Sequence, residues 1–562
     1  MELNYKILEY LNTLGYETEE ELSEFLSDKP RKTYDPFLLL NMDAGVDLIL
    51  SAIEDDETIC VYGDYDADGI TSVTLLTDVL SELTEKVFYY IPSRFDEGYG
   101  LNRDAILRIR EAGADAVVTV DCGSVSGDEV RYARELGMKV LVTDHHTVVK
   151  ESAAECPLIN PIQEDCPYPF SYLAGVGVAL KLAQALVDSA GLDRTVLTRN
   201  LDLVGIGTIG DIVPLVDENR TWAKYGIRMI NLGRRKGLRA LMEAAGLKPG
   251  SLTAEQISYV IVPHLNAAGR MEDASIAVEL LKTEDDEKAR TLAAKLVELN
   301  RRRKDVQEKE FMKCARIAED RYGEENLLLI EAEDAHEGIT GIVAGKLKER
   351  FGKPAIIVTP TEDGCLKGTG RSVDDINIFD LLNGSRELFA RFGGHRAACG
   401  FTIKRELLPE LRENLKRDIL PMMEKAQSLS EEKPFGDIYL DTEEVSLETT
   451  RQLAALAPFG RDNPQPEVAV SARPKYIKRI GKDGKYLSFT AELEDGRKLR
   501  CVDFKNPDDT EKALASQTGK GTAPSEGLIG IKGYLGSQTW NGKTYIQMIV
   551  TGVDEAGRDG GR

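Results

Sequence analysis

Between residues 57 and 146 three short, nearly continuous apolar runs each end in acids or imidazoles, and this pattern limits the fold more than any other feature of the chain. The runs are Thr58–Tyr62, Ala116–Val120 and Lys139–Thr143, with helical periodicity after Gly69 to about Glu82 and again near 129–136. Apolar runs without polar alternation are strands buried on both faces, and helices between them make a parallel sheet covered on both sides. Open sheets of this kind bind ligands outside the carboxyl ends of their strands. The first run leads into Gly63-Asp64-Tyr65-Asp66-Ala67-Asp68-Gly69, the second into Asp121-Cys122-Gly123 and the third into Asp144-His145-His146. The chain has five histidines, and two of them are adjacent in that last triplet. Carboxylates gathered on one rim repel each other unless a cation neutralises them, so bound metal is the economical reading. Mixed Asp and His ligands suit manganese, with magnesium if few imidazoles take part. The alternative, aspartates that merely cap helices and turns, leaves the paired histidines unexplained.

Two patterns near this rim suggest other chemistry and fail. Asp64-x-Asp66-x-Asp68-Gly69 opens like an EF-hand loop, but the bidentate Glu of such a loop falls on Leu75, and a strand precedes the motif where a helix is required. Gly205-x-Gly207-x-x-Gly210 spells a dinucleotide fingerprint, yet Leu201–Val204 is a weak strand candidate and no acid follows about 20 residues on. It reads instead as the approach to Asp211, a further ligand candidate.

Farther along, residues 284–322 contain neither Gly nor Pro in a chain with 50 Gly and 21 Pro. Apolar residues recur there at helical spacing, Thr283 with Asp286 reads as a cap and Gly323 as a stop. At 1.5 Å per residue the helix reaches about 55–60 Å, long enough to bridge two domains. A coiled-coil dimer seam is the rival use, and Arg301-Arg302-Arg303-Lys304 reads as a solvated face. A second α/β unit follows, with strands at Leu327–Ile330 and Ala355–Val358 around a helix at 340–351, up to a polar linker, Gln427–Lys433. Beyond about 465, short strands are separated by Asp483-Gly484, Asp495-Gly496 and Asn541-Gly542, the dipeptides of tight hairpins. About five strands in this span suggest a small barrel of the OB type.

The net charge of −24 disfavours a protein that coats nucleic acid non-specifically, because such binding needs a broad basic surface. It leaves room for a narrow basic channel. No run of 18 apolar residues exists to span a membrane. Met1-Glu2-Leu3-Asn4 is unlike a signal peptide, and eight cysteines without a CxxC pair argue against disulfide frameworks. The expectation is a cytoplasmic, reduced protein.

The acidic and histidine motifs, together with Gly207-Thr208-Ile209-Gly210-Asp211, resemble the ordered motifs of the DHH phosphoesterase superfamily. Gly393-Gly394-His395-Arg396-Ala397-Ala398-Cys399-Gly400 resembles its associated C-terminal domain. Ile91–Gly100, Leu265–Arg270, His336-Glu337-Gly338, Lys367–Ser372 and Pro458-Phe459-Gly460 are similar to the superfamily's bacterial exonucleases that degrade single-stranded DNA from the 5′ end. The resemblance implies the following domain layout. A DHH catalytic domain with an N-terminal helical extension occupies 1–282, a bridging helix 283–322 and a smaller α/β associated domain 323–426. An OB-fold barrel occupies 434–555, and a disordered tail 556–562.

The same resemblance implies two divalent cations, Mn²⁺ preferred and Mg²⁺ possible, held by Asp66, Asp68, Asp121, His145 and Asp211, with Asp64 and Asp144 as ligands or as groups that orient ligands. His146 faces the scissile phosphate, so that Asp121, Asp144, His145 and His146 form the catalytic set. Arg94, Tyr99, Thr369 and Arg371 match positions that hold the 5′-terminal phosphate and first nucleotide, with Arg270 and His395 as further phosphate contacts. His264 stands where relatives often carry Arg, which would make a contact there depend on pH. The implied partners are single-stranded DNA, a helicase and a single-strand-binding protein. In the barrel, Lys475, Lys478, Arg479, Lys482 and Lys485 offer a basic strip, and Tyr486, Phe489, Trp540 and Tyr545 are candidates for base stacking or for core. Rival readings on the same metal site are a small-molecule pyrophosphatase or cyclic-dinucleotide phosphodiesterase, which needs no barrel, and an RNA-preferring exonuclease. A non-catalytic DNA-binding scaffold with a decayed metal site is opposed by the complete acid and histidine set.

Overall fold

The computed structural model describes residues 3–554 apart from 95–96, 98–99, 149–154, 362–363, 374, 430–433, 518–527 and 541. It divides into two compact units, Tyr34–Val213 with Tyr225–Glu431, and Met1–Thr33 with Pro214–Lys224 and Glu432–Arg562.

The first unit contains two sheets. Strands β1 (Ile59–Gly63), β2 (Val87–Tyr90), β3 (Ala116–Val120), β4 (Lys139–Thr143) and β5 (Leu158–Ile159) are all parallel, in the order β2-β1-β3-β4-β5. β1, β3 and nearly all of β4 are buried, as their unbroken apolar runs require. The register sets Gly63 beside Val120 and Thr119 beside Val142. Asp64, Asp121 and Asp144 therefore leave three adjacent strands at one level. The strand order reverses between β1 and β3, and that switch point is where a crevice opens in such sheets. Helices Ala67–Leu80, Gly175–Ala190 and Leu201–Gly210 pack behind it, the first buried at thirteen positions. Gly205-x-Gly207-x-x-Gly210 thus lies in a helix, and Gly205 is needed because a Cβ there would meet the Gly226 backbone at 2.7 Å.

Helix Asp286–Arg321 leads to the second sheet. Its cap is Asp285, which accepts from the N–H groups of Glu287 and Lys288, rather than Thr283; Tyr322, not a left-handed glycine, ends it. Strands β6 (Leu328–Glu331), β7 (Ala355–Pro360), β8 (Cys365–Arg371), β9 (Phe389–His395) and β10 (Ala398–Lys404) run in the order β6-β7-β8-β10-β9. The helix Leu408–Leu429 continues through positions 427–429, where the sequence suggested a linker.

In the second unit, β11 (Ile438–Tyr439) flanks a closed barrel of β12 (Val468–Ile480), β13 (Tyr486–Glu492), β14 (Lys498–Asp503), β15 (Ile529–Trp540) and β16 (Lys543–Asp554). The circuit is β12-β13-β14-β16-β15, closed by β15 on β12, with helix Pro507–Gln517 after β14. Asp483-Gly484 and Asp495-Gly496 lie at hairpin turns as expected; Asn541 lies outside the described residues, as does the expected tail 556–562. Residues 1–33 belong to this unit and not to the catalytic one: Ile7, Tyr10, Leu11 and Phe25 share the barrel's core. The segment Pro214–Lys224 joins them. Arg220 lies 3.7 Å over the Phe25 ring and donates to the carbonyls of Phe25, Leu456 and Ala457.

Candidate metal centre and phosphate cleft

Short-range packing fixes the acids at the switch point. Asp66 caps the helix Ala67–Leu80, its Oδ1 accepting from the N–H groups of Asp68 (2.9 Å) and Gly69 (3.2 Å). Asp68 Oδ2 and Oδ1 accept from Gly175 N–H (2.7 Å) and Val176 N–H (2.9 Å), where a helix N-terminus favours negative charge. Glycines make the room: a Cβ on Gly175 would fall 2.5 Å from Asp121 Oδ1, and one on Gly207 would fall 2.7 Å from Asp68 Oδ1. Asp121 takes the left-handed backbone (φ 61°), a strained conformation of the kind that gathers at functional sites.

His145 Nε2 stands 3.1 Å from Asp121 Oδ1, 3.7 Å from Asp211 Oδ2 and 3.9 Å from Asp68 Oδ2. The five expected ligands, together with Asp64, fall into two sets, Asp64, Asp66 and Asp121, and Asp68, His145 and Asp211, each with donor atoms within 4.8 Å of one another. The short Asp121–His145 approach joins the sets. Asp64 Oδ1, Asp121 Oδ1 and His145 Nε2 are buried without a hydrogen-bond partner among the described residues. Orphaned acceptors are costly unless something else occupies their lone pairs. Burial and then the neighbouring carboxylates push Asp64 and Asp121 far above the usual carboxylate range; burial and Asp211 push Asp68 up to about 7. Burial, followed by the charge of His146, lowers His145, which leaves it a neutral imidazole suited to ligation. An oxygen-rich set with one imidazole fits divalent cations such as Mn²⁺ or Mg²⁺.

Asp144 differs from the other acids. Its Oδ1 accepts from the N–H groups of His145 and His146 and lies 2.8 Å from His146 Nδ1, and its Oδ2 accepts from Ser124 N–H. Burial opposes ionisation here, but these bonds and the imidazoles outweigh it and hold Asp144 well below the usual range. It is therefore placed to orient His146. Burial likewise opposes charge on His146, yet the bond to Asp144 raises it to about 9.

Across the same unit a cationic cleft forms. Arg94 lies 5.0 Å over the Tyr65 ring, Arg270 Nη1 donates to Gly338 O (2.9 Å) and Arg371 Nη1 donates to Gly370 O (2.8 Å). Burial and then Arg94 lower Arg270 to about 10, and burial followed by Arg94 also lowers Arg371. These guanidinium groups thus press on one another. Thr369 Oγ1 lies 3.3 Å from Thr340 Oγ1, and a Cβ on Gly341 would meet Arg371 Nη2 at 2.9 Å. Arg371 and Thr369 consequently stand at the start of helix Thr340–Phe351. His395 is exposed; the register Arg371–Ala398–His395 puts it on the same sheet face, two strands or roughly 10 Å from Arg371. Tyr99 lies outside the described residues. His264 is not an exposed cation: it is 7% exposed, and its Nδ1 lies 2.6 Å from Val260 O in the preceding turn Ile257–Ile261.

The description "DHH family, N-terminal domain" matches residues 58–208, "DHHA1 domain" 324–419 and "RecJ OB domain" 436–552. The single-stranded-DNA-specific exonuclease RecJ of Bacillus subtilis (strain 168) is 35% identical over 547 residues, which cover 95% of this chain and 66% of that protein. RecJ of Salmonella typhimurium is 33% identical over 447 residues, covering 76% of this chain and 77% of its own. The chain belongs to the RecJ family. The solved structure of RecJ from Thermus thermophilus in complex with Mn²⁺ superposes with a TM-score of 0.76 at 27% identity, over 99% of this chain and 79% of that one.

Two residues beside the cleft, Arg303 and His336, are absent from the sequence's site candidates, although His336 stands in one of its motifs. Arg303 belongs to the basic run taken as solvated, and Arg301, Arg302 and Lys304 are indeed exposed. Arg303 is 8% exposed, donating to Asn300 Oδ1 (3.0 Å) and Gln307 Oε1 (2.8 Å), and its charge is felt at Arg270. The absence of a carboxylate three or four residues away was the available signal. His336 caps the turn Glu337–Ile339, accepting from Gly338 N–H, and is lowered by burial, then by Arg302 and Arg94. In the barrel, Phe489 is core, Tyr486 packs edge-on against Phe504 at 5.1 Å and Tyr545 is exposed. Lys475 pairs with Glu492, and Arg479 with Asp508 and Glu511, so part of the expected basic strip is neutralised.

Proposed function

We propose that this chain hydrolyses single-stranded DNA from its 5′ end to mononucleotides, using two divalent cations. The observation that carries the reading is the pair of three-residue sets that meet at Asp121 and His145 with three buried donor atoms unsatisfied. Asp64, Asp66 and Asp121 would hold one cation and Asp68, His145 and Asp211 the other. Such cations, when bound, acidify water and offset negative charge on a phosphodiester. The protein's part is then to place the strand. Arg94, Arg270, Arg371 and Thr369 engage a terminal phosphate, which would set the polarity of attack. His146, oriented through Nδ1 by Asp144, presents Nε2 as a cationic donor to the charge that develops on phosphate oxygens.

The relatives' printed name, single-stranded-DNA-specific exonuclease, supports the substrate. A helicase that unwinds duplex and a protein that covers single strands are the partners this substrate calls for. A cytoplasmic location is consistent with eight free cysteines and with no described helix long and apolar enough to cross a membrane.

The test is Mn²⁺- or Mg²⁺-dependent cleavage of end-labelled DNA and RNA of matched sequence, with and without a 5′-phosphate, beside the blunt duplex. Mononucleotides released from the 5′ end of single-stranded DNA alone are expected. Faster attack on RNA would move the activity to RNA turnover, and release from the 3′ end would overturn the terminal-phosphate assignment.

A further inference from the structure

Strand β12 serves two partners in turn. Residues Val468–Ala472 pair with β15, and Arg473–Ile480 pair with β13. The change falls beside a bulge: Lys475 lies opposite Thr490 and Lys478 opposite Ser488, so Tyr476 and Ile477 together face Phe489. Such bulges bend a strand at a barrel's rim, and the residue that enters the left-handed region is ordinarily glycine. Here it is Tyr476, at φ 55°. Ile477 packs against the barrel core, which accounts for one of the two residues of the bulge. Tyr476 does the reverse: it is 72% exposed, with no hydrogen-bond or ring partner among the described residues. Barrel closure explains the bulge but not the tyrosine, since glycine would make the same turn without the Cβ penalty.

The surroundings indicate what the ring meets. Lys478 and Lys482 are exposed and have no carboxylate partner among the described residues, unlike Lys475 and Arg479 on the same strand. Lys478 stands two residues from Tyr476 on β12 and Lys482 in the hairpin turn that follows. An exposed aromatic followed by unpaired cations is an arrangement suited to a single strand, the ring under a base and the ammonium groups at its phosphates. We propose that Tyr476 is a base-stacking residue for single-stranded DNA, displayed by the β12 bulge, with Lys478 and Lys482 contacting the adjoining phosphates. The inference rests on the proposed single-strand substrate and adds to it a binding point that the sequence's own aromatic candidates did not include.

The test uses the full chain in chelator, so that binding is read without hydrolysis, and three proteins: wild type, Tyr476→Gly and Tyr476→Phe. Dissociation constants are measured for labelled oligodeoxythymidylate, for the same strand made abasic and for duplex, with thermal melting alongside. Tyr476→Gly should bind oligodeoxythymidylate roughly 10-fold more weakly while melting at the wild-type temperature or above, since glycine relieves the bulge. Tyr476→Phe should bind within about twofold of wild type, because the ring and not the hydroxyl stacks. All three should bind the abasic strand alike. Equal binding of oligodeoxythymidylate by wild type and Tyr476→Gly would overturn the proposal, as would a loss that persists on the abasic strand. A wild-type protein that does not prefer single strand to duplex would instead overturn the substrate reading on which it rests.

Discussion

The acidic rim of the parallel sheet and the arginine cleft are both like-charge clusters forced together by burial, but they are held in different ways. The acids are fixed by backbone: Asp66 and Asp68 accept N–H groups at two helix starts, and Asp121 is set by its own left-handed φ. The arginines are held by single bonds to carbonyls, Arg270 to Gly338 and Arg371 to Gly370. The rim is thus rigid before any ligand arrives, as a site for small cations with fixed bond lengths requires. The cleft gains its best partner only when an anion enters. The comparison predicts all-or-none losses on the acidic side and graded ones on the basic side.

The sharpest attempt to break that contrast is Asp121→Asn. Asp121 belongs to one ligand set and lies 3.1 Å from His145 of the other, so activity should fall on the order of 10³-fold or more, and calorimetric Mn²⁺ binding should weaken with it. Stability should move the other way in chelator. Asp121 has a folded pKa raised above its unfolded value, so the folded state binds the extra proton. Its ionisation is therefore neutral to stability below about pH 4 and destabilising as pH rises from there. The melting-temperature gain of the metal-free variant over wild type should grow from pH 4 to pH 7 and vanish when Mn²⁺ is added to both. A gain that is flat across this range would mean that the cluster is not the strained element it is taken to be.

Asp144→Asn separates an orienting acid from a ligating one. Because Asp144 accepts from backbone N–H groups and holds His146, its loss should lower kcat by about 10–100-fold and leave Mn²⁺ affinity near wild type. Lost Mn²⁺ binding would place Asp144 with the ligands. On the basic side, Arg371→Ala should raise KM for 5′-phosphorylated strands by roughly 10-fold, the worth of a charge-assisted hydrogen bond. It should change KM for 5′-hydroxyl strands far less, and equal losses on both ends would remove the terminal-phosphate role.

Much of the acidic rim was legible because its logic is local: apolar strand, then acid, at three successive strand ends that a parallel sheet must align. Asp64, Asp66, Asp68, Asp121, His145 and Asp211 all came from that reading and from the motifs that accompany it. What the sequence left open was whether Asp64 and Asp144 ligate or orient, since only coordinates show that both Asp144 oxygens are already engaged while Asp64 Oδ1 is not. The cleft was less legible because it depends on contacts between distant segments. Arg303 looked like one member of an exposed basic run, and only the packing of one helix face shows that it is buried. The same limit applies to residues 1–33 and 214–224, which join the barrel's unit through long-range burial of Phe25 and Arg220 and carry no local mark of it. Tyr476 was passed over because left-handed backbone at a bulge is a property of register, not of residue type.

Arg303 gives the smallest effect and the finest test of the contrast. Its guanidinium is buried with two amide oxygens and, among the described residues, no carboxylate partner, so its charge is not compensated by those residues. Replacing it with Met removes a buried cation, which stabilises, and strands the oxygens of Asn300 and Gln307, which costs about 1–2 kcal/mol. The two should nearly cancel, and melting should change by no more than a few degrees. The cleft's field should weaken, however, because Arg303 is one of the charges pressing on Arg270. Affinity for 5′-phosphorylated strands should drop by about two- to fivefold at low salt, and the gap should close as salt screens the site. Mn²⁺ affinity should be untouched. A loss as large as that of Arg371→Ala would make Arg303 a direct phosphate contact, and the cleft would then be as sharply built as the rim.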